Sequence, residues 1–306
     1  MQITLIHNPE AGSDNQPSAE DLVALIRKAG HSVRYQSSKH ADWHAALDEP
    51  ADLIAVAGGD GVVGLVTPRL VGRQAPFTIL PLGTANNVAA TLKLKGRPPN
   101  ELIAGWTSAA RLNIDVGVAE GPWGSNYFIE GIGLGAFTDT MSKLDARRNA
   151  ELAHHEDAEK KIQTVLHILK IRLEACRAVP LKITLDERDL TGEYVLLEAL
   201  NIRSIGPNLL LAPDADFGDG LIDLVLVRRD EIQKLIQYLN ERIAGKKDAV
   251  PQLSVHKGRR LHIESDELRI HIDDDTWPDH GEHPPYSPLV IDVTLHSPGL
   301  EVLVPA

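Results

Sequence analysis

Cysteine is nearly missing from this chain. Cys176 is the only thiol among 306 residues, so no intrachain disulfide can form and no zinc site built on cysteines is available. A reducing interior fits that usage. Aromatic residues make up 4%, too few for base-stacking platforms, and the formal net charge of -12 repels a polyanion, so nucleic acid is not an expected partner. No apolar run approaches the roughly 18 residues of a spanning helix. The opening Met1-Gln2-Ile3-Thr4-Leu5-Ile6 is strand-like, without a basic leader region, and the expected location is the cytoplasm. No Gly-x-Ser-x-Gly elbow is present. One further absence is local: between Gly61 and Asn100 there is no Asp or Glu, while Arg69, Arg73, Lys93, Lys95 and Arg97 are basic. In an acidic chain, such a window suits a surface that meets phosphates.

What is present begins with 43% hydrophobic content, enough for a large core and better suited to two domains than one. The apolar run Leu53-Ile54-Ala55-Val56-Ala57 stops in Gly58-Gly59-Asp60-Gly61-Val62-Val63-Gly64. A short run bounded by glycines reads as a strand covered on both faces. Glycines remove the Cβ atoms that keep a ligand off the backbone, so N–H groups can converge on a phosphate where the next helix starts. Gly59-x-Gly61-x-x-Gly64 satisfies the dinucleotide pattern, but the acidic residue about 20 positions on that would bind the ribose is missing, which argues against NAD in the usual pose. A tight strand-to-helix turn without a ligand stays open on these residues alone.

In chain order, a strand over 3–6 leads to the turn His7-Asn8-Pro9-Glu10-Ala11-Gly12, and a helix is predicted from about 18 to 29 with Gly30 as its stop. A strand over 32–36 ends at Ser37, a helix lies near 41–47, and strands follow at 53–57 and 77–80. Pro68 ends or kinks the helix after the glycine turn. Strands alternating with helices imply right-handed βαβ units and a parallel sheet, with ligands beyond the carboxyl ends of the strands. That rim collects the Asn8–Gly12 turn, Ser37, the Gly58–Gly61 turn and Gly83-Thr84. Beyond Arg111 the pattern becomes strands separated by turns, a largely antiparallel domain. It is interrupted by a helix from about 157 to 178, whose Ile162, Val165, Leu166, Leu169 and Leu173 stripe faces a core, and a shorter one over 232–243. His154-His155-Glu156 and His280-x-x-His283 read as surface histidines rather than metal sites.

Several short motifs in order then resemble the diacylglycerol kinase catalytic family, which includes sphingosine and ceramide kinases and soluble bacterial lipid kinases. They are Asn8-Pro9-x-x-Gly12, Gly58-Gly59-Asp60-Gly61, Pro81-Leu82-Gly83-Thr84-Ala85-Asn86-Asn87, Gly131-Ile132-Gly133, Ala212-Pro213-Asp214-Ala215, Asp219-Gly220-Leu221-Ile222-Asp223 and the closing segment from Pro298 to Pro305. The resemblance implies an N-terminal doubly wound α/β nucleotide-binding domain like that of NAD kinases and phosphofructokinases, over 1–111 with a C-terminal return at 297–306. It implies a mostly antiparallel β-sandwich over 112–296, with the active cleft between the two.

Carried over residue by residue, the resemblance implies an ATP site made of Asn8, Pro9, Glu10, Ala11, Gly12, Ser37 (Thr in relatives), Gly58, Gly59, Asp60, Gly61, Val62, Val63 and Thr84. Asp60 would act through Mg²⁺ on the phosphates. Asp115 would join the metal-linked acidic network, with a strand-end turn residue as the alternative. A second, structural Mg²⁺ would take the Asp219 side chain with the carbonyls of Asp216 and Leu221, against a plain acidic turn. Relatives carry Asp-Gly-Glu where this chain has Asp273-Asp274-Asp275. The general base is placed on Asp275 with Asp273 as its neighbour, and Glu282 is the second placement. Val62 and Asn87 depart from the Thr and Asp common at those positions. The implied activity is ATP- and Mg²⁺-dependent phosphorylation of a lipid hydroxyl, with transient membrane contact. Oligomeric state is silent, with a homodimer left open. An NAD or sugar kinase sharing the glycine turn, and a binding module that has lost catalysis, are the rivals.

Overall fold

The computed structural model describes residues 1–12, 15–148, 158–266, 269–278 and 288–306. Its N-terminal part is built on four parallel strands: β1 (Gln2–His7), β2 (Ser32–Ser37), β3 (Leu53–Gly58) and β4 (Phe77–Pro81), side by side in the order β2-β1-β3-β4. Every residue of β3 is buried, as expected of a strand covered on both faces. Helix α1 (Ala19–Lys28) starts at a capping box in which Ser18 Oγ accepts from Asp21 N at 3.1 Å while Ser18 N donates to the Asp21 carboxylate at 3.0 Å, an arrangement that contributes about 1 kcal/mol. Helix α2 (Asp60–Val66) is short because Pro68 follows, and the chain tightens into a 3-10 turn over Thr67–Leu70. The helix expected near 41–47 is likewise a 3-10 turn, Trp43–Leu47. Two short helices, α3 (Asn87–Thr91) and α4 (Pro99–Gly105), complete this part.

The remaining elements are β5 (Ala110–Gly121), β6 (Gly124–Phe128), β7 (Gly131–Gly135), α5 (Ala136–Arg148), α6 (Ala158–Ala175), β8 (Val179–Leu185), β9 (Arg188–Asp189), β10 (Gly192–Leu200), β11 (Ser204–Ile205), β12 (Leu209–Leu210), β13 (Ile222–Arg228), α7 (Ile232–Ile243), β14 (Val255–Gly258), β15 (Arg260–Ser265), β16 (Ile270–Ile272), β17 (Asp275–Trp277) and β18 (Leu289–Val304). Their pairings are antiparallel, apart from one contact that joins the halves: β18 meets β4 in parallel at Val302 and Phe77 while running antiparallel to β5 and β15. Alternation sorts the side chains. Along β13, Ile222, Leu224 and Leu226 enter the core between the strands, whereas Val225 and Val227 pack beneath α6 and α7. The predicted stripe of α6 lies in that second core, with Leu166, Leu169 and Leu173 buried. The motifs around His154 and His280, and the alternative base Glu282, lie outside the described residues.

Candidate active site

The first turn of α2 is the point on which the site converges. Gly59 caps this helix and packs against the turn after β4: a Cβ built on Gly83 would stand 2.3 Å from Gly59 Cα. Only glycine on both sides lets the two turns touch. The Gly83 turn is clamped by Asn86, which has φ +54° and whose side chain accepts from Gly83 N at 3.0 Å and donates to Gly83 O at 2.6 Å. Thr84 is half-buried on this turn. Asp60 ties the two turns together, its Oδ2 accepting from Asn87 N at 2.9 Å and its Oδ1 from Val88 N at 3.1 Å. Those are first-turn amides of α3, donors with no partner inside their own helix. Asn87 Nδ2 donates to Gly206 O, while its buried Oδ1 accepts nothing.

Asn8, Ser37 and the glycine turn line up because β1, β2 and β3 end together, with His7 opposite both Ser37 and Ala57. Asn8 Oδ1 accepts from Glu10 N at 3.1 Å. Exposed Pro9 and half-buried Ala11 complete the bend. Gly12 has φ +78°, and a Cβ there would meet Leu82 O at 2.1 Å. Glu10 forms a surface pair with Lys39. Val62 and Val63 are buried, and the Val62 side chain fills the space a Cβ on Gly58 would need. Val62 therefore serves the core beneath the turn.

The arginines of the basic window do not face this turn as expected from the sequence; of its cations, Lys95 is the one whose charge acts on Asp60. Arg73 binds Leu47 O and Asp48, Arg69 stacks over Trp43, Arg97 holds the carbonyls of Pro305 and Ala306 at 2.7 Å each, and Lys95 donates to Asn208. These cations brace the fold. Near the turn the side chains are acidic instead, because β16 and β17 deliver the Asp273–Asp275 segment to α2. A Cβ on Gly61 would stand 2.9 Å from Asp274 Oδ2, and one on Gly64 would stand 3.2 Å from Asp273 Oδ2. Asp273, at φ +49°, turns its carboxylate onto three backbone amides, those of Ile129, Glu130 and Gly131, at 2.8–3.1 Å. Burial pushes its pKa up to about 7 against the pull of those amides, with Asp274 adding to the rise. Asp275 opens β17 opposite Ile272 and is exposed.

Sequence reasoning missed Glu130, which is 5% exposed. Its carboxyl neighbours that of Asp60, and its pKa is pushed well up by burial and by Asp60, Asp274 and Asp273. Burial likewise raises Asp60, offset by the α3 amides, Glu130 and the Lys95 charge. Glu130 Oε1 is buried and accepts no hydrogen bond. The visible signal is a lone acid inside Phe128-Ile129-Glu130-Gly131-Ile132. His271 and Glu198 were also missed. They form a buried pair at 2.8 Å, and His271 Nδ1 lies 3.1 Å from the Asp273 carbonyl, bracing the acidic turn from behind. Burial would lower the His271 pKa, but the Glu198 carboxylate raises it.

Asp115 sits elsewhere. It is 1% exposed, with Oδ2 accepting from Gly220 N at 2.7 Å and its own N donating to Phe217 O at 2.6 Å; it fixes the loop between β12 and β13. In that loop Asp216 Oδ1 accepts from Gly218 N and Asp219 Oδ1 from Leu221 N, while Asp219 Oδ2 faces the Lys257 ammonium at 3.4 Å. That last oxygen already meets a cation supplied by the chain itself. Among the described residues no three His, Cys, Asp or Glu side chains are arranged to hold a metal by themselves. Around Asp60 the donor set still fits Mg²⁺, a hard cation that takes one or two carboxylates and completes its shell with phosphate and water oxygens. A cavity of about 410 Å³ lined by Thr4, Leu47, Asp48, Ile54 and Arg73 opens at the other end of the parallel strands, away from these acids.

Residues 2–119 match the diacylglycerol kinase catalytic domain, and residues 140–295 match the YegS C-terminal NAD kinase beta sandwich-like domain. The chain belongs to the diacylglycerol kinase and YegS-like lipid kinase family. Among its relatives, a Mycobacterium tuberculosis (strain CDC 1551 / Oshkosh) protein named diacylglycerol kinase is 26% identical over 260 residues, covering 83% of this chain and 78% of that protein. A Yersinia pestis (strain Pestoides F) protein named probable lipid kinase YegS-like is 27% identical over 243 residues, covering 75% and 76%. The crystal structure of a diacylglycerol kinase from Bacillus anthracis str. Sterne superposes with a TM-score of 0.69 at 22% identity, covering 100% of this chain and 97% of that one. Yeast NADH kinase complexed with NADH gives a TM-score of 0.52 at 11% identity, covering 100% and 84%. The family fold is the one described above: parallel N-terminal strands joined to an antiparallel β-sandwich part. No helix among the described residues is long and apolar enough to cross a membrane.

Proposed function

We propose that this lipid-kinase family member transfers the γ-phosphate of ATP, with Mg²⁺, to the hydroxyl of a diacylglycerol or sphingoid-like lipid in the cleft between the parallel strands and the sandwich. The observation that carries this reading is the convergence of Asp60, Glu130, Asp273 and Asp274 on a glycine turn after a fully buried parallel strand. Backbone amides there bind the phosphates, while the Asn8–Gly12 bend, Ser37 and Thr84 border the rest of the nucleotide. A phosphate tail facing carboxylates needs a cation, and the nearby arginines are committed to internal bonds. Asp60, with Glu130 behind it, would hold Mg²⁺, which would neutralise charge on the phosphates.

In the transfer, a bond forms between the lipid oxygen and the γ-phosphorus as the bridging bond to the β-phosphate breaks, and the hydroxyl proton passes to a carboxylate. Asp273 is held by three amides and positions the acidic turn. Asp275, exposed two residues on, is the acceptor an alcohol can reach. Lipid presentation implies transient contact with a membrane surface.

Incubation of purified protein with γ-labelled ATP, Mg²⁺ and mixed micelles of candidate lipids tests this; absence of labelled lipid above background contradicts it. A nucleotide-binding module without transfer is the second reading, favoured by the Asp274 carboxylate against Gly61 where relatives have glycine in place of that acid. Tight nucleotide binding with no labelled lipid would select it. Competition by NAD for the nucleotide site would instead favour the NAD kinase rival.

A further inference from the structure

The segment from Asp214 to Asp223 carries four acids, Asp214, Asp216, Asp219 and Asp223, within ten positions of the chain. Family resemblance assigns a structural divalent ion here, held by Asp219 and the carbonyls of Asp216 and Leu221. The strand register puts something else in that place. β13 and β14 pair antiparallel with Asp223 opposite Lys257, so the lysine side chain runs along the sheet into the acidic loop. Its Nζ donates to Asp214 O at 3.0 Å and lies 3.4 Å from Asp219 Oδ2 and 3.4 Å from Asp223 Oδ1. Asp223 is 1% exposed, and neither of its carboxylate oxygens accepts a hydrogen bond. Burial pushes the pKa of the Asp223 carboxyl up to about 6 against the pull of the Lys257 charge. Kept ionised, a buried carboxylate needs a nearby positive charge, and the ammonium 3.4 Å away is the cation in contact with it.

Other oxygens of the Asp216 and Asp219 turn are engaged as well. Asp219 Oδ1 accepts from Leu221 N at 2.9 Å, Asp216 Oδ1 from Gly218 N at 3.1 Å, and the Asp216 carbonyl from Asp219 N at 3.4 Å. Mg²⁺ demands near-octahedral oxygens at about 2.0–2.1 Å, so binding would have to break several of these contacts and expel the lysine.

We propose that Lys257 is the resident cation of this loop, its ammonium bridging Asp214, Asp219 and Asp223 in place of a bound divalent ion. The loop then keeps its hold on Asp115 through Gly220 N and Phe217 O without metal. Beyond it, Asn201 Nδ2 bridges the carbonyls of Asp115 and Ile129, and Ile129 N donates to Asp273. A metal-free loop thus supports the strand that seats the acidic turn.

Thermal melting of the full, nucleotide-free chain reads this independently of lipid phosphorylation. The parent is expected to melt within about 1 °C in EDTA and in millimolar MgCl₂ or CaCl₂. Lys257→Met is expected to melt several degrees lower in EDTA and to recover most of the loss when either cation is added, because the acids then recruit an external charge. Lys257→Arg keeps the charge and is expected to melt near the parent. Stabilisation of the parent by Mg²⁺ or Ca²⁺ that Asp219→Asn abolishes would overturn the proposal. So would a Lys257→Met loss that neither cation restores, since the lysine would then be an ordinary packing residue. Calorimetric titration of both cations into the parent and into Asp219→Asn needs no lysine variant: no heat assignable to Asp219 is expected, and a one-to-one heat lost in Asp219→Asn contradicts the assignment.

Discussion

Asp60 should separate the structural job of the glycine turn from its chemical one. Its carboxylate supplies the acceptors for two α3 amides, Asn87 N at 2.9 Å and Val88 N at 3.1 Å. Asp60→Ala strands both, at about 1–2 kcal/mol each for a donor left without its partner. Part of that is offset because a carboxylate whose pKa is raised by burial is removed with it. A net loss of about 2–3 kcal/mol lowers Tm by roughly 5 °C for a chain of this size. Asp60→Asn keeps one acceptor oxygen and the shape, so its stability loss should be about 1 kcal/mol. Yet it removes the charge that would meet a metal–phosphate complex, and lipid phosphorylation should fall by at least about 100-fold. Melting curves of both variants and a labelled-ATP lipid assay run well below either Tm check this together. A folded Asp60→Asn protein that phosphorylates lipid at the parental rate would refute the chemical role. An Asp60→Ala protein that melts like the parent would refute the bridge to α3.

Three other outcomes follow from the same geometry. Asp275→Asn should abolish transfer while leaving nucleotide affinity within about twofold of the parent, read by calorimetry and lipid assay; equal turnover moves the base elsewhere on the turn. Gly83→Ala places a Cβ 2.3 Å from Gly59 Cα, so the two turns must separate, costing about 2–3 kcal/mol and weakening nucleotide binding. Gly61→Ala meets only the end of the Asp274 side chain at 2.9 Å and should stay within about 1 kcal/mol of the parent; denaturant unfolding ranks the two. The native Asp273 carboxyl holds its proton up to about pH 7, so its contribution to stability is full below the ordinary carboxylate range and is lost as pH rises through 7. At 1.36 kcal/mol per pH unit the loss is roughly 4 kcal/mol. The stability gap between the parent and Asp273→Asn should therefore shrink by up to that amount between pH 4 and pH 8, and a pH-independent gap contradicts the burial of this carboxyl.

Legibility in the sequence followed range. The β3 run, its glycine stop, the Pro68 break and the α6 stripe are local patterns, and each matches the element found there. The arginines of the basic window misled because a run of cations says nothing about direction: Arg97 turns to the C-terminal carbonyls, and Arg73 to the 3-10 turn over Trp43–Leu47. Glu130 became visible only once the Asp273 turn had been brought onto its own backbone amide from 143 residues away. The His271–Glu198 pair spans 73 residues, and the approach of Lys257 to Asp219 spans 38. Such contacts are set by strand order and register, which motif spacing does not encode. Val62 departs from the Thr common at its position, and its side chain packs under Gly58.

Co-crystallisation with Mg²⁺ and the β,γ-imido analogue of ATP measures the central claim most directly. The predicted result is a phosphate tail hydrogen-bonded to backbone amides at the first turn of α2, with a metal ion between it and Asp60. A nucleotide bound at another place, or a turn still occupied by the Asp274 carboxylate at saturating analogue, would contradict it.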